Sequence, residues 1–344
     1  EVKMKINTRI KMPLRALHTF LLLAAVVPST AFVRHEPLPS HRCHRPLAAR
    51  RIVTARIVTP SSAATLAATI SVAAAAAPAG AATMASTVAL PSLPPLSNFM
   101  LAAFVPTALG FWKTGYAVSY GYGGAMLAAG ALALQAGASG LARWHALALV
   151  FYGVRLNAFL LWRELALPVE VHQMKQREAS LGERLKRTPV VVGCSVLYFL
   201  MAQPLRITLA GGAEGKAAAA AVALAFVGFA VAALGDLQKS LTKAIRGSDH
   251  LVTGGIFRFL RHPNYTGEVF GWTASTVAAF CTGGAPVGLV AAALGWVGIM
   301  FVLAGEASIG LEKKQKDKYG GTPEYESWVK RSWAGPMFDP KGDN

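Results

Sequence analysis

Seven apolar runs constrain this chain more than any other feature: approximately Asn98 to Trp112, Tyr116 to Gly137, Trp144 to Trp162, Pro189 to Leu209, Ala217 to Gly235, Val269 to Cys281 and Ala285 to Ala304. In hydrocarbon every backbone N–H and C=O must find its partner inside the segment, so runs of this kind become helices. The first and sixth fall short of the roughly 20 residues that a perpendicular crossing needs; their ends must extend into polar sequence or be buried in protein. Small residues crowd the runs, among them Gly121, Gly123, Gly124, Gly130, Gly228, Gly288 and Gly295. They permit the close helix contacts that replace hydrophobic drive in lipid. The expected fold class is all-α, a polytopic membrane helical bundle of about seven transmembrane helices.

Composition agrees: 53% of the 344 residues are hydrophobic and only 15% charged, which excludes an ordinary soluble enzyme. The net charge of +17 raises the question of nucleic acid. Nucleic-acid binding is set aside, because the charge falls in the first residues and in membrane-flanking loops, with no basic stripe interleaved with aromatics. With seven crossings, Arg163 to Thr188, Asp236 to Tyr265 and the tail from Gly305 emerge on one side; together with Lys113 they hold 19 of the 23 Lys and Arg beyond residue 60. The positive-inside rule makes that side cytosolic, or stromal in a plastid. Cys43, Cys194 and Cys281 form neither a disulfide framework nor a metal-type pair, and no metal, flavin or haem signature appears. The partners expected are the bilayer and a lipid-like small molecule, with no obligate protein partner.

Residues 1–31 read as a signal peptide: basic Lys3, Lys5, Arg9, Lys11 and Arg15, an apolar run from Ala16 to Val27, and a small-residue junction at Ser29-Thr30-Ala31 before Phe32. Residues 32–96 are rich in Arg, Ser, Pro and Ala, and no Asp or Glu occurs between Glu36 and Glu164, as in a disordered transit peptide. The two together resemble the bipartite presequences of algae with secondary plastids. The expected location is therefore a plastid membrane, with the endoplasmic reticulum as the alternative, and residues 97–344 form the membrane domain.

Polar chemistry gathers in one stretch, Gly247 to Trp272. Gly254-Gly255 reads as a tight turn into a helix, which would set Arg258, Arg261 and His262 on one face at i, i+3 and i+4 before Pro263 ends or kinks it. Asn264, Tyr265 and Glu268 follow, and Asp236 closes the fifth run. Acids and cations at a membrane boundary are costly to bury unless paired or ligand-bound, and guanidinium groups suit phosphate. Arg155 and Arg206 lie within apolar runs and need partners or a function for the same reason. Lys313, Lys314, Lys316 and Lys318 read as a solvated or lipid-facing surface.

Asp236-Leu237-Gln238, Thr253-Gly254-Gly255-Ile256-Phe257-Arg258, Arg261-His262-Pro263-Asn264-Tyr265-Thr266-Gly267-Glu268 and the late Tyr325 resemble the steroid 5-alpha-reductase C-terminal family, in its DUF1295 branch. Sterol C14/C7 reductases and isoprenylcysteine and phospholipid methyltransferases are more distant relatives. The resemblance is strongest over residues 144–344. It implies a membrane reductase that uses NADPH to reduce a carbon–carbon double bond conjugated to a carbonyl in a lipid, sterol or isoprenoid. Arg155, Asp236, Asn264, Tyr265 and Glu268 then lie around the cofactor, with Arg258, Arg261 and His262 toward its phosphates, and Tyr319 and Tyr325 closing the site. Tyr152, in Tyr152-Gly153-Val154-Arg155, resembles the tyrosine that polarises the substrate carbonyl, with Glu268 as the second catalytic residue. Hydride addition builds charge on the carbonyl oxygen, which a phenol donor stabilises.

Two rival readings keep the fold. One is an S-adenosylmethionine-dependent lipid or isoprenylcysteine methyltransferase, whose relatives usually carry a Glu-Glu pair after the last span; here Glu306 and Glu312 stand apart. The other is a non-catalytic membrane scaffold, in which Tyr152 is a packed aromatic and Arg261-His262-Pro263 a helix end.

Overall fold

The computed structural model describes residues 93–166, 180–211 and 214–336. The signal-like segment and most of the transit-like one lie outside the described residues. The regular structure of the described residues is helical, apart from one isolated parallel bridge between Leu260 and Trp333. Its elements are α1 (Leu96–Thr107), α2 (Thr114–Val118), α3 (Tyr120–Gln135), α4 (Gly140–Ala166), α5 (Leu181–Leu185), α6 (Thr188–Met201), α7 (Gln203–Leu209), α8 (Lys216–Arg246), α9 (Pro263–Thr282), α10 (Pro286–Ala304), α11 (Lys313–Tyr319) and α12 (Pro323–Arg331). A π-helical turn, Gly305–Glu312, joins α10 to α11.

Among the described residues, five helical segments are long and apolar enough to cross a membrane: Thr114–Gln135, Gly140–Leu165, Leu181–Leu209, Lys216–Arg246 and Pro286–Ala304. The chain is accordingly read as an integral membrane protein. The first and sixth apolar runs also become helices, α1 with the 3-10 turn after it and α9, but neither meets that measure, so seven crossings are not established.

Glycine decides which helices touch. α8 and α9 pack backbone to backbone: a Cβ added at Gly228 would stand 2.5 Å from the Gly271 nitrogen, and one at Gly267 2.5 Å from the Ala232 nitrogen. On α3 and α4 a Cβ at Gly153 would stand 2.3 Å from the Gly123 oxygen. Each contact brings a polar neighbour with it, because Tyr122, Tyr152 and Glu268 sit beside Gly123, Gly153 and Gly267.

A buried polar node joins α4, α7 and α9. Thr208 donates its hydroxyl proton to the Leu205 carbonyl at 2.9 Å, so its oxygen is left to accept from Nδ1 of His145 at 3.1 Å. Nε2 of His145 is then the acceptor for Ser275 at 2.8 Å. All three side chains are buried and satisfied, which removes the cost of placing them among apolar helices.

The expected helix through Arg258, Arg261 and His262 does not form. Gly255, at φ 56°, opens a 3-10 turn, Gly255–Arg258, after which the chain extends. Trp333 donates its backbone N–H to Phe259 O at 2.8 Å, and Arg261 donates to Trp333 O at 2.9 Å. Partners supplied by the tail outcompete helical ones, and Pro263 begins α9 rather than ending a helix, since its missing N–H costs nothing at a first turn. Trp328 of α12, fully buried with Leu251, Val252, Phe257 and Tyr325, fastens the tail to this stretch and donates to Phe257 O at 2.6 Å.

Candidate functional site

Arg155 of α4 is the hub of a buried polar cluster. Its guanidinium donates to Oδ2 of Asp236 at 2.9 Å and to Oε1 of Glu268 at 3.2 Å, so one cation bridges α8 and α9. It also lies 4.7 Å from the Tyr152 ring centroid. The hydroxyl of Tyr122, on α3, donates to the other oxygen of Glu268 at 3.3 Å. One guanidinium thus serves two carboxylates, and Lys239 and Arg163 add positive field at Asp236. Such an arrangement survives burial because each charge is paired and hydrogen-bonded.

Aromatic rings close around it. Tyr122 stacks on Tyr198 with centroids 5.1 Å apart, and Tyr152 meets Tyr122, Trp272 and Phe229 at 5.1, 4.9 and 4.8 Å. Three donors in this group, the Tyr152 hydroxyl, Nε1 of Trp272 and Nε of Arg155, are buried with no hydrogen-bond partner at normal geometry. An unmet buried donor costs about 1–3 kcal/mol. Several together mark a place where an acceptor oxygen from outside the chain would be stabilised.

Four of the expected residues, Tyr152, Arg155, Asp236 and Glu268, therefore come together, and others do not join them. Arg261 and His262 are buried in a second cluster, where Nε of Arg261 lies 2.9 Å and Nε2 of His262 2.8 Å from the same Glu312 oxygen. Arg261 also donates to the Val329 carbonyl at 3.1 Å. Burial pushes the Glu312 carboxyl up, but its bonds to His262 and Arg261 outweigh that and hold it below its ordinary value. This cluster ties the start of α9 to the π-helical turn and α12. Tyr265 packs edge-on to His262 with centroids 6.4 Å apart. Tyr325 is buried beside Trp328. Arg258 is exposed, its guanidinium 5.9 Å from the Phe259 ring centroid. Asn264 is half-buried at the start of α9, where its backbone nitrogen abuts Gly235.

A pocket rich in lysine lies beside the first cluster. Lys239 and Lys243 of α8 face Lys314 and Lys318 of α11 across a pocket of about 140 Å³, with His250, Gln315 and Tyr319 on its walls. At about 30 Å³ per water this space suits a phosphate rather than a whole dinucleotide. Lys239 is one turn beyond Asp236, about 4.5 Å along the helix axis, so the pocket adjoins the buried cluster. Asp249 pairs with Lys318, and Lys243 donates to Ser248 O at 3.0 Å. Sequence reasoning passed over Lys239 and Lys243 and read Lys314 and Lys318 as open surface. The i, i+4 spacing of both pairs was the available signal, since it puts each pair on one helix face.

The model of a family described as "Protein of unknown function (DUF1295)" matches residues 116–332, a range that takes in both clusters and the pocket. No curated protein and no solved structure matches the chain. With more than half of its length matched, the chain belongs to the DUF1295 family.

Proposed function

We propose that this protein is a membrane-bound NADPH-dependent reductase of a carbon–carbon double bond conjugated to a carbonyl in a lipid-like substrate. The observation that carries this reading is the juxtaposition of the buried Tyr152–Arg155–Glu268 cluster with a four-lysine pocket one helical turn away.

NADPH, when bound, supplies the hydride. Lys239, Lys243, Lys314 and Lys318 would hold its phosphates, replacing the arginines named from sequence. The Tyr152 hydroxyl, which makes no hydrogen bond of normal geometry within the fold, would donate to the substrate oxygen as charge develops there. Tyr122, bonded to Glu268, holds a proton in the same ring of aromatics. Arg155 keeps Glu268 fixed and shields it from Asp236. The surrounding apolar helices exclude water, which strengthens each of these interactions. The seven-crossing topology and the plastid location belong to the same proposal; α1 and α9 would be the short crossings, with ends buried in protein.

Ligand-induced thermal stabilisation of the purified protein in detergent tests it, with NADPH, NADH and S-adenosylmethionine compared. A ligand bound by the native state alone raises apparent stability by mass action. A rise with NADPH is expected. A rise with S-adenosylmethionine alone would replace the reductase by a methyltransferase, and no rise with any would favour a scaffold.

A further inference from the structure

Helix α8 outruns the membrane it crosses. Its 31 residues span about 46 Å at 1.5 Å per residue, against a hydrocarbon core of about 30 Å. The surplus keeps an apolar stripe where a helix in water would turn polar. Leu234, Leu237, Leu241 and Ile245 recur at three- and four-residue steps and floor a groove of about 820 Å³. Leu234 is 54% and Ile245 82% exposed, and the stripe continues the exposed face that Leu224 and Val227 present earlier on the helix.

The groove wall is built and held in place. Gln238 donates to the Gly254 carbonyl at 2.7 Å and accepts from the Ile256 N–H at 3.1 Å, pinning the loop beside the helix. A Cβ on Gly255 would come within 2.2 Å of the Gln238 amide, so the wall needs glycine there. At the far end Arg246 donates to Nε2 of His250 at 3.3 Å. Among the described residues no carboxylate lines the groove. Glu324 approaches it only through its bond from Thr253 at 3.3 Å, and Asp249 is paired with Lys318.

One end of the groove is thus continuous with a lipid-facing stripe and the other is cationic. We propose that it binds an anionic phospholipid of the surrounding bilayer, with one acyl chain along Leu234, Leu237, Leu241 and Ile245 and the phosphate at Arg246. Burial of the stripe supplies affinity for any acyl chain. Arg246, with guanidinium donors beyond the one spent on His250, supplies the preference for an anionic head. The groove shares His250 and Val252 with the lysine pocket but none of the residues of the buried Arg155 cluster.

Native mass spectrometry of the detergent-purified protein, titrated with phosphatidylglycerol and phosphatidylcholine of identical chains, tests it. Phosphatidylglycerol is expected to be retained about fivefold to tenfold more tightly, the effect of one cation at the membrane surface. Arg246→Gln should erase that preference while leaving some binding of both lipids, and Ile245→Asp should weaken both. Both residues are exposed, so an unchanged apparent melting temperature will confirm folded variants. Replacing Lys313 and Lys316 by Gln should leave the preference intact. Equal retention of the two lipids by the wild type, or a preference that survives Arg246→Gln, would overturn the proposal. A dimer in the same spectra that Ile245→Asp abolishes would reassign the groove to a second copy of the chain.

Discussion

Arg155 and Glu268, 113 residues apart in sequence, meet at 3.2 Å inside the bundle, and the same guanidinium holds Asp236 at 2.9 Å. Removing one partner of a buried pair costs about 3–5 kcal/mol, mostly through the charge left behind. Arg155→Met strands two carboxylates, whereas Glu268→Gln leaves Arg155 paired with Asp236. The first is expected to lower the apparent melting temperature well below the second, read by tryptophan fluorescence in detergent. Equal shifts would show that the pairing does not hold the helices together.

Tyr152 offers a cleaner separation of stability from chemistry. Its buried hydroxyl interacts with Tyr122 and Glu268 without a hydrogen bond of normal geometry, so Tyr152→Phe should change the melting temperature little. Loss of a donor that stabilises developing oxyanion charge costs about a hundredfold or more in turnover. NADPH affinity should survive, and an unaltered rate with an enone substrate would remove Tyr152 from the mechanism.

The lysine pocket predicts the response to cofactor charge. Replacing Lys239 and Lys243 together by Gln should weaken NADPH binding about tenfold, equivalent to about 1.4 kcal/mol. Raising the salt concentration should narrow the difference from the wild type, because screening acts on these lysines too. Undiminished affinity in the folded double variant would move the phosphates elsewhere.

Acid should loosen the tail clamp through Glu312. Its carboxyl is held below the ordinary value of 4.5, so its stabilising contribution is complete above that value. The contribution is lost as pH falls through the lower, folded-state value. Melting curves from pH 7 to pH 3 should therefore show a drop below about pH 4.5 in the wild type that Glu312→Gln lacks, on a lower baseline. Parallel curves would mean that other carboxylates dominate.

Trp328 is the anchor of the same clamp. Truncating a fully buried tryptophan to alanine costs about 3–5 kcal/mol. Trp328→Ala is expected to expose the segment after Tyr319 to limited proteolysis while the apolar helices stay protected. Unchanged cleavage would place the anchoring energy elsewhere, for instance in the Arg261–Glu312 pair.

Much of this arrangement can be read along the chain. Lipid admits only segments that satisfy their own backbone, so the apolar runs announce helices and place Asp236 and Glu268 near their ends. Tyr152, Arg155, Asp236 and Glu268 could be named because polar groups in apolar runs are rare and costly. Tyr122 escaped notice, although like Tyr152 and Glu268 it stands beside a close-contact glycine.

What stayed out of reach was set by contacts between distant segments. Whether Arg261 meets a phosphate or Glu312 depends on how the tail folds back 51 residues later, and no local periodicity records that. The helical reading of Arg258 to His262 failed for the same reason, since Trp333 offers hydrogen bonds that a local pattern cannot anticipate. Likewise, four lysines on two helices become one pocket only when α8 and α11 face each other. Hydrophobic patterning is a local property and settles the helices; charge pairing is a property of packed surfaces, and only the tertiary structure decided that Arg155 and Arg261 are spent on carboxylates while four lysines gather around one pocket.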